Sequence, residues 1–170
     1  MQAIFLDRDN TLISDPGYIH KVEQVAVLPG VFEACHIFQR LGFTLFVVSN
    51  QSGVGRGYYG LNEIKNVEAH LKSLFQAQGI TLHDFRYCLH HPDQKCTCRK
   101  PLPGMLEDLI KTYNISPLAS YVVGDKETDS QCGETIGVQG ILLSTIPHRT
   151  YPTFRSLLDF ARDLESKVSR

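Results

Sequence analysis

Short apolar runs that stop on a polar or acidic residue recur along the chain, and nothing else in it limits the fold so tightly. Gln2–Leu6 stops at Asp7, Thr44–Val48 stops at Ser49, and Ser120–Val123 is followed by Gly124 and Asp125. Runs of this length suit strands and are too short for helices. Phe85–Leu89 and Gln139–Leu143 are further strand candidates. Between them the apolar period lengthens. Val31, Ala34, Cys35, Phe38 and Leu41 share one helical face closed by Gly42, and Ile64, Val67, Leu71, Leu74 and Phe75 share another, with Asn62 as its N-cap. Met105–Tyr113, Glu127–Ile136 and Phe154–Leu164 read as the remaining helices, and Gly53–Gly60 as a glycine-rich loop. Strands alternating with helices imply right-handed βαβ crossovers and a mainly parallel sheet covered on both faces. The expected architecture is a three-layer, Rossmann-like α/β/α fold in which residues 1–170 form a single domain.

Composition matters chiefly for what it excludes. Seventeen Lys and Arg against eighteen Asp and Glu leave a net charge of -1, with no basic stripe to bind nucleic acid or an anionic membrane. No apolar run approaches the roughly 20 residues of a membrane span. Met1 leads within three residues into the first strand and not into a signal peptide. A cytoplasmic monomer acting on a small molecule is expected, without nucleic-acid or membrane partners.

In an open α/β sheet the ligand crevice lies beyond the carboxyl ends of the strands, so Asp7, Asp9, Ser49, Asn50 and Asp125 should converge there. Converging carboxylates call for a cation. The two-residue period of extended chain sends Asp7 and Asp9 to one side and Arg8 to the other. A second cluster, Cys88, His90, His91, Cys96 and Cys98, offers three thiolates and an imidazole. These match the tetrahedral preference of Zn²⁺ and leave no open position for catalysis, so the ion would be structural. Cys35 and Cys132 fall in helical patterns and read as small core residues.

Taken together, Asp7-Arg8-Asp9-Asn10-Thr11, Ser49, Lys100, and Gly124-Asp125-Lys126-Glu127-Thr128-Asp129 resemble, in order, the four motifs of the haloacid dehalogenase (HAD) superfamily of phosphohydrolases. Ser49-Asn50-Gln51-Ser52-Gly53, the Cys88–Cys98 segment and Cys98-Arg99-Lys100-Pro101 further resemble its histidinol-phosphate and heptose-bisphosphate phosphatases. The resemblance implies a HAD fold and a set of roles. Asp7 would be the nucleophile and Asp9 the general acid and base, while Ser49 and Lys100 grip the phosphoryl group. Mg²⁺ would be held by Asp7, the Asp9 backbone carbonyl and Asp125. His90 is preferred over His91 as the Zn²⁺ ligand by the family's Cys-x-His pattern. Asn10 stands where the family usually has glycine, a place that asparagine's tolerance of left-handed backbone suits.

Lys126 is expected to pair with Asp7, and Asp129 reads as a helix cap. The span between Ser49 and Lys100 holds one helix, one strand and the thiol loop. It has no room for a separate cap domain, so specificity falls to the loops 10–20, 51–60 and 89–99. Asn50, Arg56, Arg99 and Lys126 are the candidate substrate-binding residues. Gly55-Arg56-Gly57 and Gly17-Tyr18-Ile19-His20 resemble the heptose enzymes, whereas the short thiol loop resembles the histidinol-phosphate ones. Heptose bisphosphate is preferred, with histidinol phosphate as the alternative. A non-catalytic zinc-loop binding module, or phosphoryl transfer to an acceptor other than water, would be a different class of function.

Overall fold

The computed structural model describes residues 1–168. Its strands are β1 (Ala3–Leu6), β2 (Thr44–Asn50), β3 (Leu82–Cys88), β4 (Tyr121–Gly124), β5 (Gln139–Leu143) and β6 (Thr153–Phe154). They form one sheet in the order β3-β2-β1-β4-β5-β6, every pair parallel. The helices are α1 (Val31–Arg40), α2 (Ser52–Gly55), α3 (Leu61–Ala77), α4 (Gly104–Tyr113), α5 (Glu127–Glu134) and α6 (Leu157–Val168).

The alternation of side chains along each strand divides the core in two. Ile4, Leu6, Leu45 and Val47 face α1, α3 and α6 through Phe38, Leu71 and Phe160, whereas Phe5, Phe46 and Val48 face α4 and α5 through Leu106, Leu109 and Cys132. The expected three layers are therefore present. Both isolated cysteines are buried, as their helical patterns implied.

Several boundaries differ from the sequence reading. β2 continues through Ser49 and Asn50. Gly53–Gly60 is not loop throughout, because its first residues belong to the short helix α2. Helix α3 starts at Leu61, and Glu63 Oε2 accepts the Gly60 backbone N–H at 3.0 Å, so Asn62 lies inside the first turn. Phe154 belongs to a two-residue edge strand, and the last helix begins at Leu157.

The sheet order reverses between β1 and β4, which places the ligand crevice at their carboxyl ends. The register pairs Leu6 with both Val47 and Val123. Asp7, the end of β2 and Asp125 are thus level along one rim.

Candidate active site

Asp7 directly follows the central strand, and its backbone N–H bonds to Val123 O at 2.9 Å. Its Oδ1 accepts a 2.7 Å hydrogen bond from Lys100 Nζ. The ammonium group also contacts Asp129 Oδ1 at 2.6 Å and donates to Val48 O at 2.9 Å. All three of its donors are therefore committed within the protein. In this state Lys100 anchors the Asp7 carboxylate with all of its protons already bonded.

Lys126, expected to pair with Asp7, is instead exposed at the cavity edge, and Lys100 makes that pair. Asp129 is both cap and site residue. Its Oδ2 accepts the Lys126 backbone N–H at 3.0 Å while its Oδ1 meets Lys100. Gly124 makes this possible, since a Cβ there would collide with the Asp129 carboxylate.

Asp7, Asp125 and Asp129 each place an oxygen within 4.8 Å of the others. Three carboxylates and one ammonium group leave an excess of negative charge in a buried place. Burial pushes the Asp7 carboxyl up to about 7, with Lys100 pulling down and Asp129 adding to the rise. The Asp125 carboxyl is also raised, by burial and then by Asp129. For Lys100, burial lowers the pKa, but Asp7 and Asp129 outweigh it and the net direction is upward. Asp125 Oδ1 is buried without a hydrogen-bond partner. A hard divalent cation fits this donor set, because oxygen ligands and surplus negative charge are what it requires.

Arg8 does not point away from Asp9. Its fully buried guanidinium donates from Nε to Asp9 Oδ1 at 2.7 Å and from Nη2 to Asp9 Oδ2 at 3.1 Å. The long side chain folds back on its neighbour, which the strand period alone does not reveal. Ser49 is buried, and its Oγ accepts from Gln51 Nε2 at 2.8 Å, leaving the hydroxyl proton without an acceptor among the described residues. Asn50 uses both ends of its amide on Lys100: Nδ2 donates to Lys100 O at 3.2 Å and Oδ1 accepts from Lys100 N at 3.0 Å. It fixes the backbone that carries the lysine. Asn10 adopts φ 58°, the left-handed conformation its position asks for.

A cavity of about 620 Å³ opens over these groups. Asp7, Asp9, Ser49, Asn50, Arg56, Arg99, Lys100 and Lys126 all line it, and so do Tyr18, Gln51, Tyr59 and Asp129. Arg99 Nη1 is buried there with no partner. The sequence reading did not assign Gln51, Tyr18 or Tyr59 to the site, although each lies in one of the three specificity loops.

The thiol cluster lies outside this cavity but supports it. Cys88, His90, Cys96 and Cys98 present ligand atoms within 4.8 Å of one another. Cys88 Sγ lies 3.8 Å from Cys96 Sγ, and His90 Nδ1 lies 3.5 Å from Cys88 Sγ and 3.3 Å from Cys98 Sγ. Bond lengths of about 2.3 Å to sulfur and about 2.0 Å to nitrogen give tetrahedral edges of about 3.8 and 3.5 Å, so the spacing suits Zn²⁺. Burial, with Cys88 and Cys96 close by, pushes the Cys98 thiol up to about 12, a cost that a cation in the cluster would remove. His91 is turned away, its Nδ1 accepting the Asp93 backbone N–H at 3.2 Å. Gly55 packs so closely on the His90–His91 backbone that a Cβ would collide with it. The cluster therefore braces both Lys100 and the loop carrying Arg56.

The fold and this arrangement of aspartates around a lysine define a class, the HAD-type hydrolases, and a HAD-hydrolase-like family model matches residues 97–150. Relatives narrow it further. The chain is 41% identical over 145 residues to the D-glycero-β-D-manno-heptose-1,7-bisphosphate 7-phosphatase of Haemophilus ducreyi, covering 81% of this chain and 80% of that one. The enzyme of the same name from Helicobacter pylori is 35% identical over 161 residues, covering 94% and 93%. Among solved structures, the D,D-heptose 1,7-bisphosphate phosphatase from B. bronchiseptica, complexed with magnesium and phosphate, superposes with a TM-score of 0.88 at 25% identity over 98% of this chain and 99% of that one. A HAD-like phosphatase from Mesorhizobium loti gives 0.86 at 29% identity, over 98% and 87%. The chain belongs to the heptose-1,7-bisphosphate 7-phosphatase family of HAD phosphatases. No helix among the described residues is long and apolar enough to cross a membrane.

Proposed function

We propose that this protein removes the 7-phosphate of D-glycero-β-D-manno-heptose 1,7-bisphosphate, leaving the heptose 1-phosphate, through an aspartyl-phosphate on Asp7. The observation that carries the substrate is a second set of basic groups in the cavity. Arg56 and Arg99 line it together with Asp7 and Lys100, and Arg99 keeps a buried Nη1 without a partner. A guanidinium fork suits a phosphate oxygen pair, so the 1-phosphate would rest there while the 7-phosphate meets Asp7. Lys126, at the cavity edge, adds positive charge on the approach.

In the reaction, the Asp7 oxygen not bonded to Lys100 attacks phosphorus. The bond from phosphorus to the sugar O7 breaks, and O7 takes a proton from the Asp9 carboxyl. Water then attacks the aspartyl-phosphate and gives its proton to the Asp9 carboxylate, releasing phosphate and restoring both side chains. The Ser49 hydroxyl keeps its proton and donates a hydrogen bond to a phosphoryl oxygen. Asp7, the Asp9 backbone carbonyl and Asp125 would hold Mg²⁺, whose charge offsets that of the incoming phosphate dianion. Cys88, His90, Cys96 and Cys98 would hold one structural Zn²⁺ per chain.

Side-by-side kinetics on the heptose bisphosphate and on histidinol phosphate test the reading. The bisphosphate is expected to win by about tenfold or more in kcat/KM, since each charge-assisted hydrogen bond to a remote phosphate contributes roughly 1.5–3 kcal/mol. A preference for histidinol phosphate overturns the substrate.

A further inference from the structure

Gln51 is 2% exposed, and its side-chain amide has no unused hydrogen-bonding capacity. Nε2 donates to Asp9 Oδ2 at 2.9 Å and to Ser49 Oγ at 2.8 Å. Oε1 accepts from Arg8 Nη2 at 3.1 Å and from the Tyr59 hydroxyl at 3.1 Å. Chemistry fixes this orientation. Arg8 can only donate, so the amide oxygen must face it, and the NH₂ group must then face Asp9 and Ser49.

The surroundings keep the amide in place. Its backbone N–H donates to Cys88 O at 2.8 Å, tying it to the end of β3. The Tyr59 ring stacks on His20, with centroids 4.9 Å apart and planes within 7°, and presses on Gly53 where a Cβ would collide with it.

From this juxtaposition we infer that Gln51 is a positioning residue that aims Asp9 at the leaving oxygen and, with the same NH₂ group, turns the Ser49 hydroxyl toward the phosphoryl group. Arg8 and Gln51 together bond both Asp9 oxygens, which restricts rotation of the carboxyl group to one orientation. The Ser49 oxygen accepts from Gln51, and its proton, with no acceptor among the described residues, is left for a group in the cavity that Ser49 lines. One buried amide thus sets the proton donor for the departing oxygen and a hydrogen-bond donor for the transferring group. The inference rests on the proposed role of Asp9 as general acid.

The test exploits the leaving group. A sugar alkoxide needs a proton as it departs, whereas 4-nitrophenolate needs little help. Gln51→Met keeps the length and removes the hydrogen bonds. It is expected to lower kcat/KM on the heptose bisphosphate by about a hundredfold but on 4-nitrophenyl phosphate by less than about tenfold, mostly through kcat. Tyr59→Phe removes one bond to the amide and keeps the ring stack, and is expected to lose about three- to tenfold on the sugar substrate, again more than on the aryl one. Thermal melts of both variants accompany the kinetics. If Gln51→Met does not fold, Tyr59→Phe decides the question. Equal losses on the two substrates, or none, overturn the inference. Asp9→Asn distinguishes the two levels of failure: if its loss does not depend on the leaving group, the role of Asp9 itself is wrong and the role of Gln51 falls with it.

Discussion

Two ligand clusters lie close together in this molecule and are held by opposite means. The carboxylates of Asp7, Asp125 and Asp129 stand on the ends of β1 and β4 and on the first turn of α5, so paired strands and a helix fix them before any cation arrives. The thiols and imidazole of Cys88, His90, Cys96 and Cys98 begin at the end of β3 and continue along a loop with no helix or strand before Gly104. The first cluster is a charge problem on a rigid frame, whereas the second hangs on a loop that a metal bound there would clamp. Removing a member of the first should therefore cost activity without costing stability, and removing one of the second should cost both.

The largest effect separates them most sharply. Asp7→Asn should lower kcat by about a thousandfold or more, because an amide cannot serve as the nucleophile proposed at this position. Its stability should move the other way. Burial raises the Asp7 carboxyl from 3.8 to about 7, so the folded chain binds that proton more tightly than the unfolded one. The carboxyl therefore costs stability that grows as pH rises from about 4 through 7 and persists above. Melting in Mg²⁺-free buffer at pH 8 should show the variant higher by a few degrees, at about 2–4 °C per kcal/mol for a chain of this size. A lower melting temperature would mean that the pair with Lys100 outweighs the burial of charge.

Cys96→Ser comes next. It should lower the melting temperature by about 5–10 °C, roughly 2–3 kcal/mol, and reduce activity in the same preparation as the loop presenting Lys100 loosens. Elemental analysis of the wild type should find about one Zn²⁺ per chain, and full activity in a zinc-free variant would break the comparison. The smallest effect lies at the cavity mouth, outside both clusters. Arg56→Ala should cost about ten- to a hundredfold in kcat/KM on the heptose bisphosphate, far less on 4-nitrophenyl phosphate, and nothing measurable in melting. An equal loss on both substrates would move Arg56 into the phosphoryl site.

What could be read in advance follows the same division. Asp7, Ser49 and Asp125 were legible because apolar runs end at or beside them and strand ends converge on one rim. The thiol cluster was legible by ligand type and spacing. Asp129 was half legible: the capping pattern is real, but its contact with Lys100 closes a gap of 29 residues that no local pattern spans. The Arg8 fold-back and the Asn50 grip on the Lys100 backbone depend on side-chain reach and on the path of a loop. Thr153–Phe154 escaped because two residues carry no period, and α2 because glycines conceal a helix.

The position of β1 at the centre of the sheet has a consequence for synthesis. Its two neighbours are β2, which follows after residue 43, and β4, which begins at Tyr121. While the chain is being made, one edge of β1 stays unpaired until some 115 further residues have been added, and an apolar edge strand is a template for aggregation. Asp125 and Asp129 arrive with β4 and α5, so the carboxylate cluster and the shielding of that edge are completed by the same late segment. A nascent chain stalled before Tyr121 would already carry Asp7, Ser49, Lys100 and the whole thiol loop, yet it would be both inactive and prone to associate.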